Sequence, residues 1–180
     1  AAVVVGSGPG DLKECADQFP SDYPLAGMQL QRFWESRAFE LGGSNYQAPG
    51  QLVGDFLKQQ PSTGFGTVVP SYKPGVCPSD LSLSLPNYAI EAIREALPAF
   101  EQQIRGFSMY EAVLTGVETR TSSPIRIKRH EQTYQSLNTH GLYPAGEGAG
   151  YAGGILSAAV DGIKVAEALA LHMLQHCSSS

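Results

Sequence analysis

Apolar residues along this chain change their period twice, and the changes mark its elements. Val3-Val4-Val5 is a short continuous apolar run ending at Gly6, and it predicts a strand. Gly8 to Tyr23 carries Pro9, Gly10, Pro20 and Asp22 and reads as loop. Pro24 to Leu41 predicts a helix with Leu25, Met28, Phe33 and Leu41 among its apolar positions. Pro24 suits its first turn, where the missing N–H costs nothing, and Gly42-Gly43 stops it. Phe33, Trp34 and Phe39 on that helix are expected in the core. Gln51 to Leu57 predicts a strand, and Pro61 to Pro78 is a Gly/Pro-rich connection. Asp80 to Leu85 predicts a short helix capped by Ser79 or Asp80. Asn87 to Leu97 predicts a second long helix, and Pro98 is expected to open a further turn through Ile104.

Beyond Gly106 the period shortens. Ala112 to Glu118, Ile125 to Lys128 and Tyr134 to Leu137 predict strands joined by polar turns, and Leu142 to Ala145 predicts one more. A glycine-dense turn, Gly146 to Gly154, then leads into a long helix from Ile155 to about Gln175, with Ser178 to Ser180 expected to fray. No internal repeat is evident.

Composition narrows the class. A chain of 180 residues favours one domain with two small lobes, and 42% hydrophobic residues exclude a wholly disordered chain. Charged residues are only 16%, below the usual quarter, so much of the surface is expected to be covered by another domain or a large cofactor. A net charge of −5 with one short basic cluster, Arg126, Lys128, Arg129 and His130, argues against a nucleic-acid partner. Ala149 to Leu174 is the longest apolar stretch, but Asp161, Lys164 and Glu167 interrupt it, so no membrane span is expected. Three scattered cysteines, Cys15, Cys77 and Cys177, read as reduced thiols of a cytoplasmic protein. The abrupt apolar start without an initiator Met suggests a fragment of a longer protein.

Two glycine turns are candidates for ligand contact. Val3 to Leu12 looks like a strand entering a dinucleotide-binding turn, but Asp11 stands where a third glycine is needed and would repel phosphate. Pro20 also leaves no room for the crossover helix, so a strand ending in a loop is the favoured reading. The second turn, Gly141 to Ile155, is stronger. A short strand, bare glycine backbone and the longest helix follow one another, and a helix N-terminus attracts negative charge. Ala158, Ala159, Gly162 and Ala166 keep one face of that helix small, which permits close approach to a sheet or a flat ligand. Two lesser constellations remain. Glu118, Arg120, Thr121, Ser122 and Ser123 could hold an anionic group or merely pair along a strand. His172 and His176 stand four apart, but no HExxH accompanies them, and interaction with the helix C-terminus is expected instead of metal binding.

Gly141 to Ala166 resembles the C-terminal flavin-contacting segment of FAD-dependent oxidoreductases. The resemblance extends upstream through Pro24-Leu25-Ala26-Gly27, Leu41-Gly42-Gly43, Gly54-Asp55-Phe56-Leu57, Ala92-Ile93-Arg94-Glu95-Ala96-Leu97-Pro98 and Thr115 to Pro124. Together these segments look like one uncharacterised branch of the family, found in bacteria and plastids. The resemblance implies the α/β, or α+β, C-terminal portion of a Rossmann-like flavoprotein with a helical and β second lobe. Residues 1–137 would form that lobe, and residues 138–180 the last strand and C-terminal helix of the flavin domain. It implies FAD as cofactor, with Gly146, Glu147, Gly148, Gly153, Gly154, Ile155, Arg120, Ser122 and Ser123 near it. Family members carry a βαβ unit ahead of these motifs, so the remaining polypeptide would be the principal partner, in the cytoplasm or a plastid. No general base stands in a recognisable motif, and the substrate is not indicated. The alternatives are a non-catalytic docking or structural module without flavin, or a small nucleotide-binding domain using Gly6 to Gly10.

Overall fold

The computed structural model describes residues 2–8, 10–11 and 24–177, with side chains through residue 175. The loop expected over Gly8 to Tyr23 lies largely outside these residues, as do Cys15 and the serine tail; for His176 and Cys177 only the backbone is described. The chain divides into two compact units, Ala1–Thr119 and Arg120–Ser180.

The first unit is mixed α and β around a small sheet. Helix α1 (Ala26–Leu41) packs against strand β1 (Ala48–Leu52), which runs directly into the short helix α2 (Val53–Leu57). A long connection leads to β2 (Val76–Pro78), a single 3-10 turn (Leu81–Leu83), helix α3 (Asn87–Gln103) and β3 (Val113–Thr115). The strand order is β2-β1-β3, with β1 parallel to β2 and antiparallel to β3. This is an α+β arrangement.

Gln51 explains how β1 organises its surroundings. Its side chain is fully buried; Nε2 donates to the Gln60 carbonyl at 2.7 Å, and Oε1 accepts the Leu81 N–H at 2.8 Å. One amide thus ties the strand to the loop after α2 and to the 3-10 turn, with both its oxygen and its nitrogen engaged. Beside it Val53, Phe56, Leu81, Ile90, Ile93 and Leu97 form the apolar core, where α2 meets one face of α3. Asp80 caps the 3-10 turn as expected, its Oδ1 accepting the Ser82 N–H at 3.0 Å.

Several expectations are corrected. Val3 to Val5 is no strand; Val3 and Val5 pack on the core while Val4 faces out, so the alternation survives without a ladder partner. The strand expected over Gln51 to Leu57 instead ends at Leu52, because the chain turns helical to deliver Val53 and Phe56 into the core. Helix α3 runs through Pro98 rather than restarting there. Phe39 is exposed and stacks edge-on with Tyr46, while Phe33 and Trp34 are half-buried.

The second unit contains one long helix, α4 (Ile155–Cys177). The strands expected over Ile125 to Lys128, Tyr134 to Leu137 and Leu142 to Ala145 are absent. Only an isolated bridge, Arg129 to Ser136, forms among them. No helix among the described residues is long and apolar enough to cross a membrane.

Candidate functional site

The site is built from one charge in the middle of α4. Ala158, Asp161, Val165, Ala168 and His172 recur every three or four residues and form the less exposed face of the helix. A carboxylate on such a face costs free energy unless it is paired. Arg129 supplies the pair in bidentate form, Nη1 to Oδ2 at 2.9 Å and Nη2 to Oδ1 at 2.5 Å. Both side chains are largely buried. Arg129 also donates to the Pro144 carbonyl at 2.6 Å, and its guanidinium lies 3.6 Å from the Tyr151 ring centroid and 4.7 Å from that of Tyr134. The hydrogen bonds from Arg129 hold the Asp161 carboxyl below its ordinary range; burial opposes them, and the Gly146 N–H adds to them.

That last contact is where the glycine turn begins. The Gly146 N–H donates to Asp161 Oδ2 at 2.8 Å, and Gly146 has φ +69°. The turn closes through Tyr151 N–H to the Gly146 carbonyl at 3.0 Å and Gly150 N–H to the Glu147 carbonyl at 2.9 Å. Its far side is pinned by the Ile127 N–H, which donates to the Ala149 carbonyl at 3.1 Å.

Here the glycines differ in kind. Gly150 has φ +80°, and a Cβ on it would lie 2.6 Å from the Ile125 carbonyl oxygen, so the chain's own packing demands glycine. Gly148 and Gly154 have no such reason. A Cβ on Gly148 would meet nothing within 4 Å, and one on Gly154 would make an ordinary 3.6 Å contact with Ser157 Oγ. Their backbone is bare towards the outside.

The structure brings Ser122 and Ser123 beside the glycine turn. Ser123 Oγ donates to the Ile125 carbonyl at 2.8 Å and lies 3.3 Å from the Gly148 carbonyl. Ser122 Oγ lies 3.3 Å from where a Gly153 Cβ would be. Ser122, Ser123, Gly148 and Gly153 therefore share one locality. Glu147, Gly153, Gly154 and Ile155 are exposed around it, and Arg120 is exposed at the start of the unit. The Gly154 N–H is engaged within α4, donating to Ser157 Oγ at 3.1 Å. Beside the turn an open hollow of about 350 Å³ is lined by Tyr151, Leu156, Ser157, Val160, Asp161 and Lys164.

Other candidates resolve into structure. The Gly8 N–H donates to Asp11 Oδ2 at 2.7 Å and the Asp11 N–H to the Gly8 carbonyl at 3.0 Å. The carboxylate thus takes the place a phosphate would need. His172 Nδ1 meets the Tyr143 hydroxyl in a short hydrogen bond. Among the described residues no group of three or more His, Cys, Asp or Glu could hold a metal ion. Arg129, Asp161 and Tyr151 were missed by sequence reading. The signal was available: an acidic residue on the inward stripe of an apolar helix requires a basic partner, and Arg126 to His130 was the only cluster on offer.

Residues 1–121 match the family described as "FAD-dependent protein, C-terminal domain-like". An uncharacterised protein of Clostridium beijerinckii is 52% identical over 167 residues, which is 93% of this chain and 30% of the relative. The chain thus spans about a third of the length of that curated relative, and the aligned stretch includes most of the second unit as well as the first. The family match covers the whole first unit and ends two residues past its boundary, and the chain belongs to the FAD-dependent protein C-terminal domain-like family.

Proposed function

We propose that the chain is the C-terminal portion of an FAD-dependent oxidoreductase and that the turn from Gly146 to Ile155 contacts the flavin. The observation that carries this reading is the pair of glycines, Gly148 and Gly154, which the chain's own packing does not require. They lie in the turn where the serines of the second candidate segment converge. In this reading residues 1–137 belong to a second lobe, and residues 138–180 complete the flavin domain. Residues 142–145 would gain their strand ladder from polypeptide beyond this chain. When bound, FAD would supply the electron transfer, as cofactors do the hard chemistry in such enzymes. This chain's part is to hold and orient it. Glu147 and Gly148 would flank the ribityl–phosphate stem. The N–H groups of Gly153 and Ile155 would face the ring edge where negative charge accumulates on reduction, favoured by the positive end of α4.

Gly154→Val in the protein at full natural length tests the reading. The Cβ has room in this chain, so the fold should survive while the side chain fills the ring's place. The ratio of flavin to protein absorbance should fall at least tenfold, with the circular dichroism spectrum unchanged. Gly162→Ala, two turns along α4, should keep its flavin. Full flavin content in Gly154→Val would show that the turn is packing and not a cofactor site, whereas wild-type protein that takes up no flavin would favour the second reading, a docking module without cofactor, which the exposed Leu156, Val160 and Ile163 of α4 support. The nucleotide-binding reading of Gly6 to Gly10 gains no support, because Asp11 occupies the Gly8 amide.

A further inference from the structure

We infer that Arg129 and Asp161 are positioning residues: a buried ion pair whose task is to hold the glycine turn in register with the start of α4. The inference rests on the flavin reading above for its purpose, but its geometry stands on its own. Asp161 Oδ2 is shared between Arg129 Nη1 at 2.9 Å and the Gly146 N–H at 2.8 Å, so one carboxylate oxygen joins the pair to the first residue of the turn. The guanidinium reaches neighbouring segments of the same locality. It donates to the carbonyl of Pro144, two residues before Gly146, and lies 3.6 Å from the ring of Tyr151, whose N–H closes the turn on the Gly146 carbonyl. The Tyr151 hydroxyl accepts the Arg129 N–H at 3.1 Å. Arg126 adds a second clasp, its Nε donating to the Gly150 carbonyl at 3.0 Å and its guanidinium 4.5 Å from the same ring.

Every residue from Pro144 to Tyr151 that this cluster grips is gripped through backbone or through Tyr151. The glycines of the turn carry no side chains with which to fix themselves, and glycine-rich backbone is the most costly to order. Asp161 sits six residues into α4, so the pair ties the turn to the helix whose N-terminus follows it. Neither side chain is placed against the ligand. They act through Gly146 and Tyr151.

The experiment uses the protein at full natural length. Asp161→Asn keeps the shape and one carbonyl acceptor but removes the charge that Arg129 needs. Arg129→Lys keeps a cation but loses the bidentate fork and the stacking. Hydrogen exchange read by mass spectrometry on peptides covering residues 144–152 is one readout, and it needs no flavin. Asp161→Asn should exchange at least tenfold faster there, Arg129→Lys should fall between it and wild type, and peptides from α3 should be unchanged. The second readout is flavin dissociation and the flavin midpoint potential. Asp161→Asn should bind flavin at least tenfold more weakly with a shifted potential. If Asp161→Asn does not fold, Arg129→Gln/Asp161→Asn, which leaves no unpaired buried charge, carries the same measurements. Unchanged exchange at 144–152 overturns the inference, as does faster exchange with flavin affinity and potential both unchanged. Wild-type protein that takes up no flavin overturns the flavin reading instead, and the exchange result then separately decides whether the pair holds the turn.

Discussion

Asp55 shows how much one residue organises in the first unit. It lies in the first turn of α2 and accepts from Ser62 Oγ at 2.7 Å, Gln60 Nε2 at 2.8 Å and the Tyr110 hydroxyl at 2.7 Å. Ser62 in turn accepts the Leu52 N–H at 2.9 Å. The hydrogen bonds, Ser62's first, hold the Asp55 carboxyl below its ordinary value of 3.8; burial opposes them and Lys58 assists. A carboxyl with a depressed folded value adds stability that is present above its unfolded value and lost as pH falls through the folded one. Asp55→Asn should therefore cost about 1–3 kcal/mol at pH 7, because buried donors lose their charged acceptor. The gap from wild type should narrow as pH drops below 3.8. Urea unfolding followed by circular dichroism at pH 7 and pH 3 measures it, and an equal gap at both would show that the charge plays no part. The neighbouring glycine has an equally local cause. A Cβ on Gly54 would lie 1.8 Å from the Tyr110 ring, so glycine lets Tyr110 reach Asp55. The segment Gly54 to Leu57 was legible as a motif, but Tyr110, over 50 positions away, is what explains it.

At the scale of elements, the long helices were legible and the strands only in part: β3 falls inside the strand expected over Ala112 to Glu118, but α2 stands where a strand was expected. Helices α1, α3 and α4 announce themselves by length and by Pro or Gly at their borders, signals contained within each segment. Strand β1 defeats such reading because it carries Pro49 and Gly50, residues that argue against a central strand. The structure tolerates them for specific reasons. Pro49 uses its carbonyl, accepting the Gly116 N–H at 3.0 Å, and Gly50 admits Val76, whose Cγ1 would lie 2.3 Å from a Cβ there. In the second unit, apolar alternation around residues 125–145 marks backbone fastened to the glycine turn, not a ladder. Pro98 is the informative error in α3. Proline inside a helix removes a hydrogen bond and usually breaks it, yet α3 continues to Gln103: Ile90, Ile93 and Leu97 anchor the turns before it in the core, and Phe100 after it packs edge-on against Phe107. Pro98 is exposed, so Pro98→Ala restores an N–H without disturbing packing. The gain should be about 1 kcal/mol or more, less what the freer unfolded chain takes back. Thermal unfolding should show a higher midpoint; an unchanged or lower one would mean that the proline is itself part of the packing.

For the whole molecule, the turn was legible as a glycine-dense lead into α4, but the strand expected before it is absent and its anchoring was not read. Arg129 and Asp161 stand 32 positions apart, so the pair shows only when the acid on the inward face of α4 is set against the one basic cluster, not in any local spacing. The same helix raises the question of what lies against its other side. Leu156, Val160, Ile163, Ala170 and Leu174 recur along α4 opposite Asp161 and Val165, and Glu167 is the only charge among them. Ile163 is 60% exposed and Leu156 81% exposed in this chain. A contiguous apolar stripe of this kind on a soluble surface marks a contact. If residues 138–180 complete a flavin domain, as proposed above, the contact would be with polypeptide outside these 180 residues; the aligned stretch is 30% of the Clostridium relative. The small residues Ala159, Gly162 and Ala166 beside the stripe suit close approach to a sheet. Ile163→Asp in the full-length protein decides the matter. Against a packed sheet it buries an unpaired carboxylate, which should cost about 3 kcal/mol or more and lower the unfolding temperature of the flavin domain. On a face that water covers, the same change should stay within about 0.5 kcal/mol of wild type, and that result would remove the helix from the domain interface.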